Sequence, residues 1–293
     1  MAADRHAVPP GNPAAHASGT DAEEASGRAL IQALRLRNGG NLCYANSWIR
    51  SVYWASTVIT HGAELFSPLR HGFSAVCSQV RNGCMVQLMD THDIRELLGA
   101  WTRPQDQHDV FEFAMYHMTQ VGAVNLLGTW QARTLQDGEM ATSDSGHVMI
   151  LHPNRQRQSL HMMISAWEAS THAATCAFHL APQLLLMQVM RFRNDSTGRL
   201  RRLQLAIRHV LDDFNVPVFT SEQSLEVRYQ LYRPVACICH RGSTPARGHY
   251  TAVLIDRHAV WHCDDNVAPT RMLNPSDHHY AEVYAVLCVR KDV

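Results

Sequence analysis

From residue 43 onward the apolar positions keep a helical beat. Trp48, Val52, Ala55 and Ile59 follow one another at steps of four and three, which predicts a helix over 43–59 that buries this stripe. A second short helix is predicted over 93–101 around Ile94, Leu97 and Leu98. A third has Asp106 as its cap and Val110, Phe111, Ala114, Met115 and Met118 as its apolar face. After Gly128 the texture changes to short strand candidates at 129–135 and 148–151, separated by a turn cluster over 137–146, with one more short helix at 158–167. Runs rich in Val, Leu, Ile, Tyr and Cys then predict strands at 184–192, 227–239, 249–255, 259–263 and 282–290, with a hairpin loop at 242–248. This order, helices first and strands after, predicts an α+β domain in which a helical lobe faces an antiparallel sheet.

Composition narrows the function classes. The 293 residues carry a formal net charge of zero, and charged residues make up 18% of the chain, against about 25% in an average domain. No basic field recommends nucleic acid, and no apolar run reaches the ~18 residues that span a bilayer. Residues 1–27, rich in Ala, Gly, Pro and Ser and without a hydrophobic block, read as a flexible leader with no secretory signal. The eight cysteines include no C-x-x-C pair, which argues against a zinc ribbon or a dithiol redox motif and for reduced thiols in a cytosolic setting. Cys237 and Cys239 share a strand face and read as packing residues. Of the 26 basic residues only Lys291 is lysine. A GC-rich genome explains that bias, and so does selection against side-chain amines that could accept ubiquitin.

The stretch from Asn38 to Ser47 carries the chemistry. Its Gly39-Gly40 turn delivers Cys43 to the start of the first helix, where unpaired N–H groups and the positive end of the helix dipole favour thiolate over thiol. The bland alternative is a buried structural cysteine. A thiolate needs a base, and the base an orienting acceptor. His249 heads one predicted strand, and Asp264 and Asp265 end the next. Adjacent strands of a hairpin would bring imidazole and carboxylate together beside Cys43.

These segments resemble the ubiquitin-specific protease family, cysteine peptidases of papain-like architecture. The family's cysteine box is matched from Asn38 to Ser47, with Leu42 where Thr is usual. Its glutamine-aspartate box is matched by Gln107-His108-Asp109-Val110-Phe111-Glu112-Phe113, and its leucine-rich strand by Pro182 to Phe192, with Met190 for the usual Lys. Its histidine box is matched from Tyr232 to Gly242 and through Gly248-His249-Tyr250. The boxes keep the family's order. The resemblance implies a catalytic domain over 28–293, with a helical thumb at 28–128 and a palm with fingers at 129–293.

By the same resemblance Cys43 is the nucleophile and His249 the general base and acid. Asn38 joins the Cys43 N–H in stabilising an oxyanion, a kind of contact whose loss costs roughly 3 kcal/mol. Gapless alignment gives Asp264 as the orienting carboxylate, whereas anchoring on Trp261 gives Asp265. Gln107, Asp109, Gly248 and Tyr250 would line a channel for an extended diglycine tail, with helix capping as the plainer role for Gln107 and Asp109. The family's zinc-binding C-x-x-C pairs are missing between Glu112 and Leu184, so short, metal-free fingers are expected, with no cofactor. The implied activity is hydrolysis after ubiquitin's terminal glycine by a monomer whose partners are ubiquitin and its conjugates. Lysine scarcity, short fingers and the leader are similar to secreted bacterial TssM-type deubiquitinases, which places the expected site of action in the cytosol of a eukaryotic host. Two other readings stay open: a catalytically silent ubiquitin-binding module, and a hydrolase of ubiquitin esters or of another ubiquitin-like modifier.

Overall fold

The computed structural model describes residues 31, 35–59, 65, 98–104, 106–169, 174–245, 247–256, 259–274 and 280–291. The leader, most of the helix expected at 93–101, and Cys77 and Cys84 lie outside the described residues. The helices that matter for the site are α1 (Cys43–Ser56), α2 (Val110–Gln120) and α3 (Leu160–Glu168). The strands are β1 (Trp130–Gln136), β2 (Glu139–Gly146), β3 (Val148–Leu151), β4 (Gln158–Ser159), β5 (Thr175–Phe178), β6 (Leu184–Val189), β7 (Phe192–Asn194), β8 (Leu200–Arg202), β9 (Ile207–Arg208), β10 (Phe214–Phe219), β11 (Val227–Thr244), β12 (Arg247–Ile255), β13 (Val260–Cys263), β14 (Thr270–Met272) and β15 (Val283–Arg290).

Eleven of these strands form one sheet, ordered β14-β13-β12-β11-β10-β5-β1-β2, with β15, β6 and β3 branching from β11. Strand β11 makes the branch possible. Tyr232 pairs with Phe214 of β10 and Arg290 of β15, whereas Ala236 pairs with Leu254 of β12 and Leu287 of β15. β10 and β12 therefore occupy one edge of β11 in succession, and β15 holds the other. The sheet is not wholly antiparallel, as the sequence suggested: β3 with β6 and β5 with β10 pair in parallel. Residues 152–183, which include α3, supply the crossover that the parallel β3–β6 pair requires.

The central strands alternate between two cores. Leu184 and Leu186 of β6, Ala236 and Ile238 of β11, and Leu287 and Val289 of β15 face the core built on α1 and α2. Leu185 and Met187, Cys237 and Cys239, and Val286 and Cys288 face the core containing Leu160, Met163, Ile164 and Trp167 of α3. With period-two side chains buried on both faces, these strands read as continuous apolar runs. The shared face of Cys237 and Cys239 is as expected, and it lies on the α3 side, away from Cys43.

Helix α1 goes further than its stripe predicts, because all 14 of its residues are buried. One side packs on β11, β12 and β15 and another on α2. Trp48 Nε1 donates to His117 Nδ1 of α2 at 2.8 Å, and Trp54 Nε1 to the Ile255 carbonyl of β12 at 3.0 Å. Ser47 and Ser56 return their hydroxyls to the Tyr44 and Tyr53 carbonyls, which lets a helix with polar residues sit inside the fold.

Three local readings are corrected. Residues 139–146 form β2 rather than a turn: only Asp137 and Gly138, with φ of 52° and 84°, make the hairpin connection, and Gln136 pairs with Glu139. Positive φ at both positions is the two-residue turn that matches strand twist, while the polar Ser143-Asp144-Ser145 run lies on an exposed edge. α2 is capped by Asp109, not Asp106, because Asp109 takes the extended backbone and accepts the Phe111 N–H at 2.7 Å. Helix α3, expected at 158–167, starts at Leu160 and is capped by Ser159. Among the described residues no helix is long and apolar enough to cross a membrane.

Candidate active site

The turn before α1 is built around one side chain. Asn38 Oδ1 accepts the N–H groups of Gly40 and Leu42 at 3.2 and 2.9 Å, while Gly40 at φ 135° and Asn41 at φ 55° take the left-handed conformations that reverse the chain. Leu42 occupies the cap position and contributes no side-chain bond. The first N–H groups of α1 are thus left for a ligand at the helix end that carries positive partial charge. Cys43, the first helical residue, is 3% exposed.

His249 is brought to this thiol by the β11–β12 hairpin. Its strands cross so closely that a Cβ on Gly242 would lie 2.0 Å from the Arg247 carbonyl oxygen and one on Gly248 2.2 Å from that of Arg241. Ala252 pairs with Cys263, so the register carried one step on sets Asp264 opposite Thr251 and diagonal to His249 on the same face. His249 Nε2 and Asp264 Oδ1 are 2.7 Å apart, which leaves Nδ1 for Cys43. The hydrogen bond with Cys43 is the main reason the imidazole pKa is pushed up to about 9. Burial opposes the shift and Asp264 adds to it. At neutral pH the ring is therefore an imidazolium held between sulfur and carboxylate.

Asp265 does something else. At φ 36° it turns its carboxylate back under the cysteine loop, where Oδ2 accepts Asn38 Nδ2 at 2.8 Å and Oδ1 accepts Asn46 Nδ2 at 2.7 Å. Its carbonyl accepts Arg50 Nη2 at 2.6 Å. The sequence left Asp264 and Asp265 as alternatives, and the geometry gives the first to His249 and the second to Asn38. Asn46 and Arg50 were not anticipated. Their signal was present, since Cys43, Asn46 and Arg50 follow at steps of three and four and so share one polar face of a buried helix.

A sequence profile described as ubiquitin carboxyl-terminal hydrolase matches residues 34–284. The chain belongs to this family. Curated relatives include the probable ubiquitin carboxyl-terminal hydrolase creB of Aspergillus flavus, 28% identical over 99 residues, which is 34% of this chain and 12% of the relative. The Aspergillus fumigatus protein of the same name is 28% identical over 101 residues, with the same shares. The match thus spans about an eighth of these relatives' length. Among solved structures, the SAGA Ubp8/Sgf11/Sus1/Sgf73 DUB module bound to ubiquitin aldehyde superposes with a TM-score of 0.66 at 17% identity, covering 90% of this chain and 71% of the other. A variant of that module bound to monoubiquitin gives 0.62 at 16% identity, over the same shares of the two chains. At these identities the likeness is one of fold.

Within this ubiquitin carboxyl-terminal hydrolase fold, the four residues expected to line a substrate channel part ways. Gln107 reaches across to β12, donating from Nε2 to the Gly248 carbonyl at 2.7 Å and accepting the Gly248 N–H on Oε1 at 3.1 Å. Asp109 is committed inside the fold: one oxygen caps α2 and the other accepts the Tyr284 hydroxyl, while burial raises its pKa. Tyr250 is not a channel residue. It is 1% exposed, its hydroxyl donates to the Pro245 carbonyl at 2.7 Å, and its ring lies against His240 and Tyr284. Strand alternation explains the correction, because a half-exposed His249 sends its neighbour inward.

The other described thiols also lie buried within the fold. Burial pushes Cys237 and Cys288 well above the ordinary thiol range, Cys239 to about 12 and Cys263 to about 11. His249, Asp264 and Asp265 each place a possible metal-ligand atom within 4.8 Å of one another. Those groups are already spent on Cys43, Asn38, Asn46 and each other.

Proposed function

We propose that this protein is a cysteine-dependent deubiquitinase that hydrolyses the bond after the terminal glycine of ubiquitin. The observation that carries the reading is the imidazole of His249 held between the Cys43 sulfur and the Asp264 carboxylate. The Cys43 thiolate attacks the glycyl carbonyl carbon, and the carbonyl π-electrons pass to oxygen. The Cys43 backbone N–H and the Asn38 carboxamide receive that oxyanion, Asn38 being steadied by Asp265. As the C–N bond breaks, the imidazolium gives its proton to the leaving amine. The neutral ring then takes a proton from water, whose oxygen displaces the thiolate from the thioester. The family match supports the substrate class, as do the ubiquitin-bound states of the Ubp8 modules that share the fold.

Incubation with ubiquitin carrying a C-terminal electrophile tests the reading. A covalent adduct that Cys43→Ala abolishes is expected. Tight binding without an adduct would instead indicate a silent binding module, and an adduct with a different ubiquitin-like protein alone would reassign the substrate.

We also propose that the protein acts on ubiquitin conjugates in a eukaryotic cell other than its source, as a secreted effector would. Support comes from the single lysine, whose Nζ is paired with Asp213 at 2.7 Å. A chain with so few acceptor amines resists tagging for degradation. Placing lysines at exposed Arg193, Arg208 and Arg228 in the Cys43→Ala background should shorten its lifetime in such cells, and an unchanged lifetime would count against the idea.

A further inference from the structure

The residue immediately before the histidine is a weak point. Gly248 has φ 151°, and no side chain fits there because Arg241 and His240 close around it. A glycine at that position is conformationally loose, yet the peptide it begins must aim the His249 ring at Cys43. Gln107, 141 positions away in sequence, satisfies both backbone polar groups of Gly248 with one carboxamide. One donor and one acceptor in a fixed plane match one N–H and one C=O, as a neighbouring strand would. Gln107 is itself well placed, because Asp109 two residues later is fixed by the Phe111 N–H and the Tyr284 hydroxyl.

We propose that Gln107 is a positioning residue for His249, holding the Gly248 peptide so that the imidazole approaches the Cys43 sulfur correctly. The proposal rests on the cysteine-hydrolase reading of the site. It replaces a substrate-contacting role for Gln107, whose amide oxygen and nitrogen are both engaged within the protein.

The test compares wild type with Gln107→Ala and Gln107→Glu in three measurements. These are ubiquitin–aminocoumarin hydrolysis over pH 6–10, alkylation of Cys43 by iodoacetamide at pH 7 followed by mass spectrometry, and thermal melting. Gln107→Ala should lower kcat roughly tenfold to a hundredfold, the size of effect a small misplacement produces, with KM changed less than about twofold. The alkaline limb should fall below its wild-type position near 9, and alkylation should slow. Gln107→Glu keeps an acceptor for the Gly248 N–H but loses the donor to its carbonyl, so it should fall between the two. Should the alanine variant not fold, the glutamate variant carries the test. A raised KM with unchanged kcat, alkaline limb and alkylation would overturn the proposal in favour of a substrate contact. Equal losses of melting temperature and activity, with the limb unmoved, would overturn it in favour of a purely structural role. If wild type fails to hydrolyse ubiquitin while alkylation still depends on Gln107, the deubiquitinase reading falls and the positioning role stands.

Discussion

Replacing Asp264 by asparagine removes one of the two groups that keep His249 protonated and leaves the other in place. A charge-assisted hydrogen bond contributes about 1.5–3 kcal/mol when sheltered. Here the side chains are 41% and 35% exposed, and solvent screening brings the pair down to about 1 kcal/mol. At 1.36 kcal/mol per pKa unit this is somewhat less than about one unit. The alkaline limb of kcat/KM for ubiquitin–aminocoumarin should therefore move from about 9 to roughly 8.

At pH 7.5 kcat should also fall, by roughly tenfold to a hundredfold, because the amide oxygen can still accept the ring N–H but no longer holds the imidazolium with a full negative charge. In a serine triad the same change costs about 10⁴. The loss here is smaller because Cys43, not Asp264, is the leading cause of the raised pKa. The folding stability that His249 contributes follows the same sign. Its folded pKa lies above the unfolded value of about 6.5, so the contribution is complete below that pH and is lost as pH rises through about 9. An Asp264→Asn profile that still turns at 9 with unchanged kcat would refute the reasoning, as would finding the shift in Asp265→Asn instead.

Three further outcomes are expected. Asp265→Asn keeps a residue type that tolerates φ 36° but loses the charged acceptor of Asn38 and Asn46, so melting should drop by roughly 4–8 °C for about 2 kcal/mol, with slower acylation in a single-turnover assay. Gly248→Ala must push aside the Arg241 carbonyl 2.2 Å away; kcat should fall about a hundredfold while far-ultraviolet circular dichroism stays native-like. Tyr250→Phe removes the bond to the Pro245 carbonyl and should cost about 1 kcal/mol in urea titration, leaving KM for ubiquitin unchanged; a raised KM would restore Tyr250 to the channel.

Much of this architecture was legible because its periodicities are strong. The stripe at Trp48, Val52 and Ala55 and the apolar runs of β6, β11, β12 and β15 announce themselves by spacing alone. β2 did not, since an exposed edge strand needs no apolar face and its Ser-Asp-Ser run looks like a loop. The division of labour between Asp264 and Asp265 depends on a single positive φ that adjacent identical residues cannot signal. Tyr250 was misread although the rule that places it was at hand, because neighbours on a strand cannot both face the cleft. The link from Gln107 to Gly248 left no trace in local pattern: it exists only once two segments 141 residues apart have folded against each other.

The length of β11 has a mechanical corollary. Its 18 residues, at about 3.3 Å each, reach at most roughly 60 Å, from beside β10 to the histidine hairpin. The outlying strands and His249 hang from one continuous strand, whose pairing slips between Pro234 and Ala236, between Ile238 and Cys239, and between Arg241 and Thr244. A load placed on the far end must pass these three irregularities, where a strand bends and twists most readily, before it reaches the imidazole.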